Sequence, residues 1–369
     1  MTDDLNHASP DAATLTPLPR GPILRNRAPG SVGLTATQHV RLVDAPDGFE
    51  IECGRRLGPI DVAYETYGRL NADRSNVILV LHALSGDAHA AGISTDESTI
   101  SAVDTGIGAI DRGIADRKSL GWWDNMIGPG KAFDTDRYFV VSSNILGGCR
   151  GTTGPASLDP ATGRPYGRDF PVVTVADMVR LQDLLLQHLG IRQILAVTGG
   201  SLGGMQALEW AVRFPDRVHG CIPIASTARL SALGVGLNEI GRRAILADPK
   251  YNGGHYYDGP PPADGLAIAR MIGHVSYLSD ESMKRKFGRR FRATDRPSFG
   301  FDLEFEVETY LDHQGYSFTR RFDANTYLYV TRAIDYFDLV RDHGSLVDSF
   351  RDVQARFLLI SFSSDWLYP

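Results

Sequence analysis

Ile191-Arg-Gln-Ile-Leu-Ala-Val-Thr198, Gly199-Gly-Ser-Leu-Gly-Gly204 and Met205-Gln-Ala-Leu-Glu-Trp-Ala-Val-Arg-Phe214 follow one another directly and end at Pro215. The first segment reads as a buried strand, the second as a glycine-dense turn, and the third as a helix that the proline stops. Ser201 stands in the middle of the turn, inside a G-x-S-x-G pattern. A serine on a sharp strand-to-helix turn is forced into strained backbone geometry, and glycines on either side keep neighbouring side chains from clashing. Its hydroxyl then projects at the carboxyl edge of a sheet, beside helix N–H groups able to hold developing negative charge. The plainer reading is a glycine-rich turn capped by a serine, but the strand before it and the helix after it favour a nucleophile. No lysine stands where a phosphate-binding loop would need one, which argues against nucleotide binding at this turn.

The same alternation extends in both directions. Val175 to Leu189 places apolar residues at helical spacing, with Gly190 just past its end, and Val218 to Ala225 reads as a further strand. Upstream, Val62 to Tyr67, Asn76 to Leu84 and Tyr138 to Asn144 are β-branched or aromatic runs bounded by Gly, Asp or Asn. Strand, helix and strand in turn imply an α/β fold, a mostly parallel sheet with right-handed crossovers and helices on both faces. From Thr227 to Asp352 the pattern becomes helical, rich in Tyr, Arg and Gly and broken at Pro260-Pro-Pro262, which reads as an inserted lid over 227–352. Within it, Phe301 to Glu308 alternates with period two and could pass for a strand. The sheet resumes at Ala355 to Ser361, so the catalytic core is expected over 38–226 and 353–369. Residues 1–37 are Pro, Ala, Thr and Gly rich without apolar periodicity and are expected to form a disordered extension.

The chain has 369 residues, 43% hydrophobic and 22% charged, with a formal charge of −6, values that exclude a wholly disordered, collagen-like or coiled-coil protein. The mildly acidic balance argues against a dedicated nucleic-acid binder. Cys53, Cys149 and Cys221 are too few and too scattered for a disulfide framework or zinc cage, so a reducing cytoplasm is the default. No apolar run approaches the roughly 18 residues needed to span a bilayer, and no membrane partner is expected.

A serine nucleophile requires a base and an acid that orients it. Asp365, just after the apolar run Phe357 to Phe362, is placed at the same sheet edge as Ser201, although a capping role would also suit it. Chain order in this arrangement is Ser, then Asp, then His. Only Trp366, Leu367, Tyr368 and Pro369 follow, so the base, with a final strand and helix, is expected beyond Pro369. His313 and His343 lie upstream and suit surface or core roles. His82, Asp87 and His89 are metal-ligand types, but no further cluster completes a coordination shell, so no metal is expected. The loop carrying them suits an oxyanion hole better, with the backbone N–H of Leu84 facing that of Leu202.

Taken together, Leu81-His-Ala-Leu-Ser-Gly86, Gly121-Trp-Trp-Asp124, Gly128-Pro-Gly-Lys-Ala-Phe-Asp-Thr135 and Asn144-Ile-Leu-Gly-Gly-Cys149 with Gly151-Thr-Thr-Gly-Pro155 resemble the homoserine O-acyltransferases of the α/β-hydrolase fold. Gly199 to Gln206 and Ser364-Asp-Trp366 extend the resemblance, which runs from about residue 38 to the last. It implies transfer of an acyl group from acyl-coenzyme A to the side-chain hydroxyl of L-homoserine, an early step towards methionine. Ser201 matches the family nucleophile and Asp365 its acid. Arg270 matches the lid arginine that binds the substrate carboxylate, with Tyr277 in the same pocket; a guanidinium can grip a carboxylate with two parallel hydrogen bonds. The family's His-Asp pair, of which the Asp binds the substrate amine, has no counterpart here. Members using succinyl-coenzyme A carry arginine where this chain has Leu367, which implies acetyl-coenzyme A as co-substrate, with no tightly bound cofactor. The resemblance also implies a homodimer formed through the lid. An L-serine acyltransferase, a succinyl donor, an ester hydrolase and a non-catalytic chain lacking the base remain open alternatives.

Overall fold

Every side chain of Val77-Ile-Leu-Val-Leu81 is buried, because this strand is the middle one of a seven-stranded sheet. Across the sheet the strands run Arg356–Phe357, Gly220–Ile224, Ala196–Gly200, Val77–Leu81, Phe139–Ser143, Ile60–Tyr67 and Gln38–Val43. The first five are mutually parallel, and the last two pair antiparallel. The computed structural model describes residues 29–45, 48–95, 120–293, 296–341 and 343–368.

Alternation within the central strand divides the core between the two sheet faces. Val77, Leu79 and Leu81 join a cluster with the helices Val175–His188 and Leu202–Arg213, including the fully buried Trp210. Ile78 and Val80 pack with Ala90, Ala91 and Ile127, flanked by Trp122 and Trp123. Helix Val175–His188 begins with a reciprocal cap in which Thr174 Oγ1 accepts from Asp177 N at 3.2 Å and Asp177 Oδ2 accepts from Thr174 N at 3.0 Å.

The stretch 227–352 carries the helices Ala232–Ala247, Ala263–Tyr277, Asp280–Lys286, Glu306–Thr319 and Ala324–Tyr336. Glycines let neighbouring helices approach closely: a Cβ on Gly265 would lie 2.5 Å from Ala244 O, and one on Gly315 would lie 3.0 Å from Ala267 O. The lid has a core of its own, against which Leu84 and Cys149 of the main body pack. Asp323 ties two lid segments together, accepting from Tyr256 Oη at 2.6 Å, Tyr257 Oη at 3.3 Å and Thr326 N at 2.7 Å. No helix among the described residues is long and apolar enough to cross a membrane.

Three local expectations are corrected. Residues 1–28 lie outside the described residues, but Leu34–Thr35, placed with the extension, pairs in parallel with Ile93–Ser94. That pairing rests on main-chain bonds such as Ile93 N to Gly33 O at 3.0 Å, which leave no trace in side-chain periodicity. The helix after the glycine turn starts at Leu202, not Met205. Its two glycines are tolerated because packing demands them: a Cβ on Gly203 would sit 2.1 Å from Leu81 O, and one on Gly204 would sit 2.5 Å from Ser226 Cβ. The alternating stretch Phe301 to Glu308 is not a strand. Phe305 makes one isolated bridge with Phe291, and Glu308 then caps the helix Glu306–Thr319 by accepting from Phe305 N at 2.9 Å.

Candidate active site

Ser201 has φ 54° and ψ −119°, a left-handed conformation that costs a non-glycine residue about 1–3 kcal/mol and is held only where its surroundings impose it. Here Ser201 N donates to Ile224 O at 2.9 Å, and Ser226 Oγ donates to Ser201 O at 2.8 Å. Gly199 and Gly203 both press on the carbonyl of Leu81, where an added Cβ would stand 2.4 Å and 2.1 Å away. The turn is thus wedged between two strand ends, and Leu202 opens a helix whose first N–H groups have no intrahelical partner.

Ser201 opens into a cavity of about 590 Å³ between the sheet edge and the lid. Leu84, Arg270, Tyr277, Asp365 and Leu367 all line it, so the structure gathers the proposed side chains around one space. Leu202, the residue after Ser201, is fully buried and is not among the residues that line it. Ala225, also with positive φ at 44°, lines the same cavity and was not foreseen; nothing in the identity of an alanine signals a strained main chain.

Asp365 Oδ1 accepts from Leu367 N at 3.0 Å and Tyr368 N at 2.9 Å, so this carboxylate caps its own turn while facing the cavity. Tyr368 was not singled out by sequence, yet its Oη lies 2.9 Å from Ser201 Oγ. Burial pushes the Tyr368 phenol up to about 12, which keeps it protonated at neutral pH. Among the described residues no histidine lines the cavity. His313 is on helix Glu306–Thr319, and His343 borders a separate cleft beside Glu52.

Arg270 projects from helix Ala263–Tyr277, with its guanidinium 4.7 Å from the centre of the Phe318 ring. Its Nε is buried without a hydrogen-bond partner, and the side chain forms no ion pair among the described residues. Four residues on, burial and then the cations of Arg270, Lys286 and Arg321 push His274 down to about 3, leaving it neutral.

His82, Asp87 and His89 build the loop that carries Leu84. His82 Nδ1 donates to Ala83 O at 2.7 Å, and Nε2 accepts from Ile145 N at 3.2 Å, an arrangement that fixes one neutral tautomer; burial lowers its pKa. Asp87 Oδ1 accepts from His89 N at 3.0 Å, and His89 Nδ1 meets the buried Glu65 carboxylate at 3.2 Å.

A strained serine between a strand end and a helix start, at the carboxyl edge of a mostly parallel sheet and under a helical lid, defines an α/β-hydrolase-type site. The model of the alpha/beta hydrolase fold family matches residues 76–367. A homoserine O-acetyltransferase of Solidesulfovibrio magneticus is 53% identical over 92% of this chain and 81% of its own length. One from Methanococcoides burtonii is also 53% identical over 92% of this chain, which spans 64% of that longer relative. The crystal structure of homoserine O-acetyltransferase from Bacillus anthracis superposes with a TM-score of 0.78 at 31% identity, over 91% of this chain and 85% of that one. Esterase E22 gives 0.74 at 31% identity, over 88% and 84%. The chain belongs to the homoserine O-acetyltransferase family of α/β-hydrolase-fold proteins.

Proposed function

We propose that this chain transfers an acetyl group from acetyl-coenzyme A to the side-chain hydroxyl of L-homoserine through an acyl-Ser201 intermediate. The observation that carries the reading is the shared cavity: the strained Ser201 hydroxyl and the Arg270 guanidinium, which forms no ion pair among the described residues, face one space beneath the lid. A serine alone suits any acyl transfer; a cation aimed into the same space selects a substrate with an anionic end. In the first half-reaction Ser201 Oγ attacks the thioester carbon, the oxyanion forms against the N–H groups of Leu84 and Leu202, and coenzyme A leaves as the thiol. In the second, the homoserine hydroxyl attacks the acyl-serine carbonyl, the bond from that carbon to Ser201 Oγ breaks, the hydroxyl proton ends on Oγ and O-acetylhomoserine leaves, while Arg270 and Tyr277 hold the amino acid.

The Ser201 proton requires a base. Tyr368 is the group on Oγ, and a phenol that burial keeps protonated is not that base; it donates to Oγ or accepts from it. Asp365 at the cavity edge suits the acid that orients a base. Leu367 presents an apolar side chain where a succinyl donor would need a cation, which favours the acetyl donor. Water is the competing acceptor, and the likeness to esterase E22 makes hydrolysis the second reading. Product analysis with homoserine, serine and water competing for the acyl group separates these. O-acetylhomoserine as main product supports the proposal; acetate alone assigns the site to hydrolysis.

A further inference from the structure

Beneath the serine turn lies a buried polar chain that the proposed reaction does not use. Trp210 Nε1 donates to Gln182 Oε1 at 2.8 Å, and Gln182 Nε2 donates to Gln206 Oε1 at 2.6 Å. Gln206 Nε2 then donates to His82 O at 3.3 Å and Leu202 O at 3.2 Å. Trp210 and Gln206 are fully buried and Gln182 is 4% exposed, so these bonds lie away from bulk solvent. The direction of the chain is forced. An indole N–H can only donate, so Gln182 must turn its oxygen to Trp210 and its NH2 to Gln206; Gln206 must then turn its NH2 to the two carbonyls.

Those carbonyls belong to the two halves of the expected oxyanion hole. His82 O is on the loop bearing Leu84, and that loop is rigid, since His82 is held at both ring nitrogens and Gly86 N donates to Ala83 O at 3.0 Å. Leu202 O belongs to the first residue of the helix after Ser201. We propose that Gln206 is a positioning residue of the oxyanion hole: aimed by Gln182 and Trp210, its carboxamide fixes the separation of the Leu84 and Leu202 N–H groups. This rests on the reading of Ser201 as nucleophile. Apolar side chains could fill the same volume without the risk of an unpaired buried amide, which is why a purely space-filling role does not account for the chain.

The test compares the parent chain with Gln206→Met and Gln182→Met on p-nitrophenyl acetate and its thiono analogue, with thermal midpoints recorded alongside. Sulfur is a weak acceptor and fits an oxyanion hole badly, so the oxygen-to-sulfur rate ratio reports on the hole itself. Gln206→Met is expected to lower the oxygen-ester rate about tenfold to a hundredfold, less than loss of a donor outright, and to compress the ratio. Gln182→Met shifts it the same way and carries the test if the first variant does not fold. A general loss of structure lowers both rates in proportion, so an unchanged ratio overturns the inference. A parent chain that turns over the esters with the acyl group on a residue other than Ser201 overturns the nucleophile reading, and this inference with it.

Discussion

Replacing Arg270 by Met separates binding from folding in a way few substitutions can. The guanidinium has a buried Nε without a partner, a desolvation cost of about 1–3 kcal/mol in the ligand-free protein. Against this, its position 4.7 Å from the Phe318 ring centre contributes about 0.5–2 kcal/mol. The two nearly cancel, and Met keeps much of the aliphatic contact, so the thermal midpoint of Arg270→Met should stay close to that of the parent. Homoserine binding should not. Each hydrogen bond to a charged group is worth about 1.5–3 kcal/mol, and about 1.4 kcal/mol is tenfold in affinity. Loss of even one raises the homoserine KM about tenfold to a hundredfold. Initial rates at saturating acetyl-coenzyme A with homoserine varied, then the reverse, measure both constants. The acetyl-coenzyme A KM should hardly move. An unchanged homoserine KM, or an effect confined to acetyl-coenzyme A, refutes the assignment of Arg270 to the acceptor carboxylate.

Other perturbations probe the frame around the site. Gly203→Ala would drive a Cβ to 2.1 Å from the Leu81 carbonyl; the strand end and helix cannot both hold, and stability should fall by about 1–3 kcal/mol or more in urea titrations, with activity lost. Asp335→Ala would leave Arg242, whose side chain is 5% exposed and paired with Asp335 at 2.7 Å, with only the half-exposed Glu239 carboxylate at 3.0 Å, at a cost of about 1.5–3 kcal/mol by the same measurement. His274, pushed from an ordinary 6.5 down to about 3, takes up a proton far more readily in the unfolded chain. Its contribution to stability is complete above about pH 6.5 and is lost as pH falls towards 3, so His274→Gln should flatten the acid limb of a stability-against-pH curve.

Much of this was legible because two periodicities meet at the decisive stretch. A strand-length apolar run, a glycine turn and a proline-stopped helix fix the place of Ser201 by local rules, and the structure confirms the left-handed residue that such a turn needs. The apolar strands and the lid helices were readable for the same reason. Features decided by tertiary contact were hidden. The start of the helix at Leu202 depends on how closely Gly203 and Gly204 approach Leu81 and Ser226, not on helix propensity, which glycine lowers. The pairing of Leu34–Thr35 uses main-chain atoms alone. Tyr368 reaches Ser201 across 167 positions of sequence, and Gln206 looks like any polar helix residue until its burial is known. Where the glycines themselves state the geometry, sequence suffices; where a remote neighbour decides it, only the packed chain shows it.

The proposed transfer requires Ser201 to carry the acyl group. Intact-mass spectrometry of the protein after brief exposure to acetyl-coenzyme A, with peptide mapping, measures this directly. The expected result is a single added acetyl group on Ser201, absent from Ser201→Ala and cleared by homoserine with appearance of O-acetylhomoserine. Acetylation that persists in Ser201→Ala, or product formed with no acylated chain at any time, would contradict it.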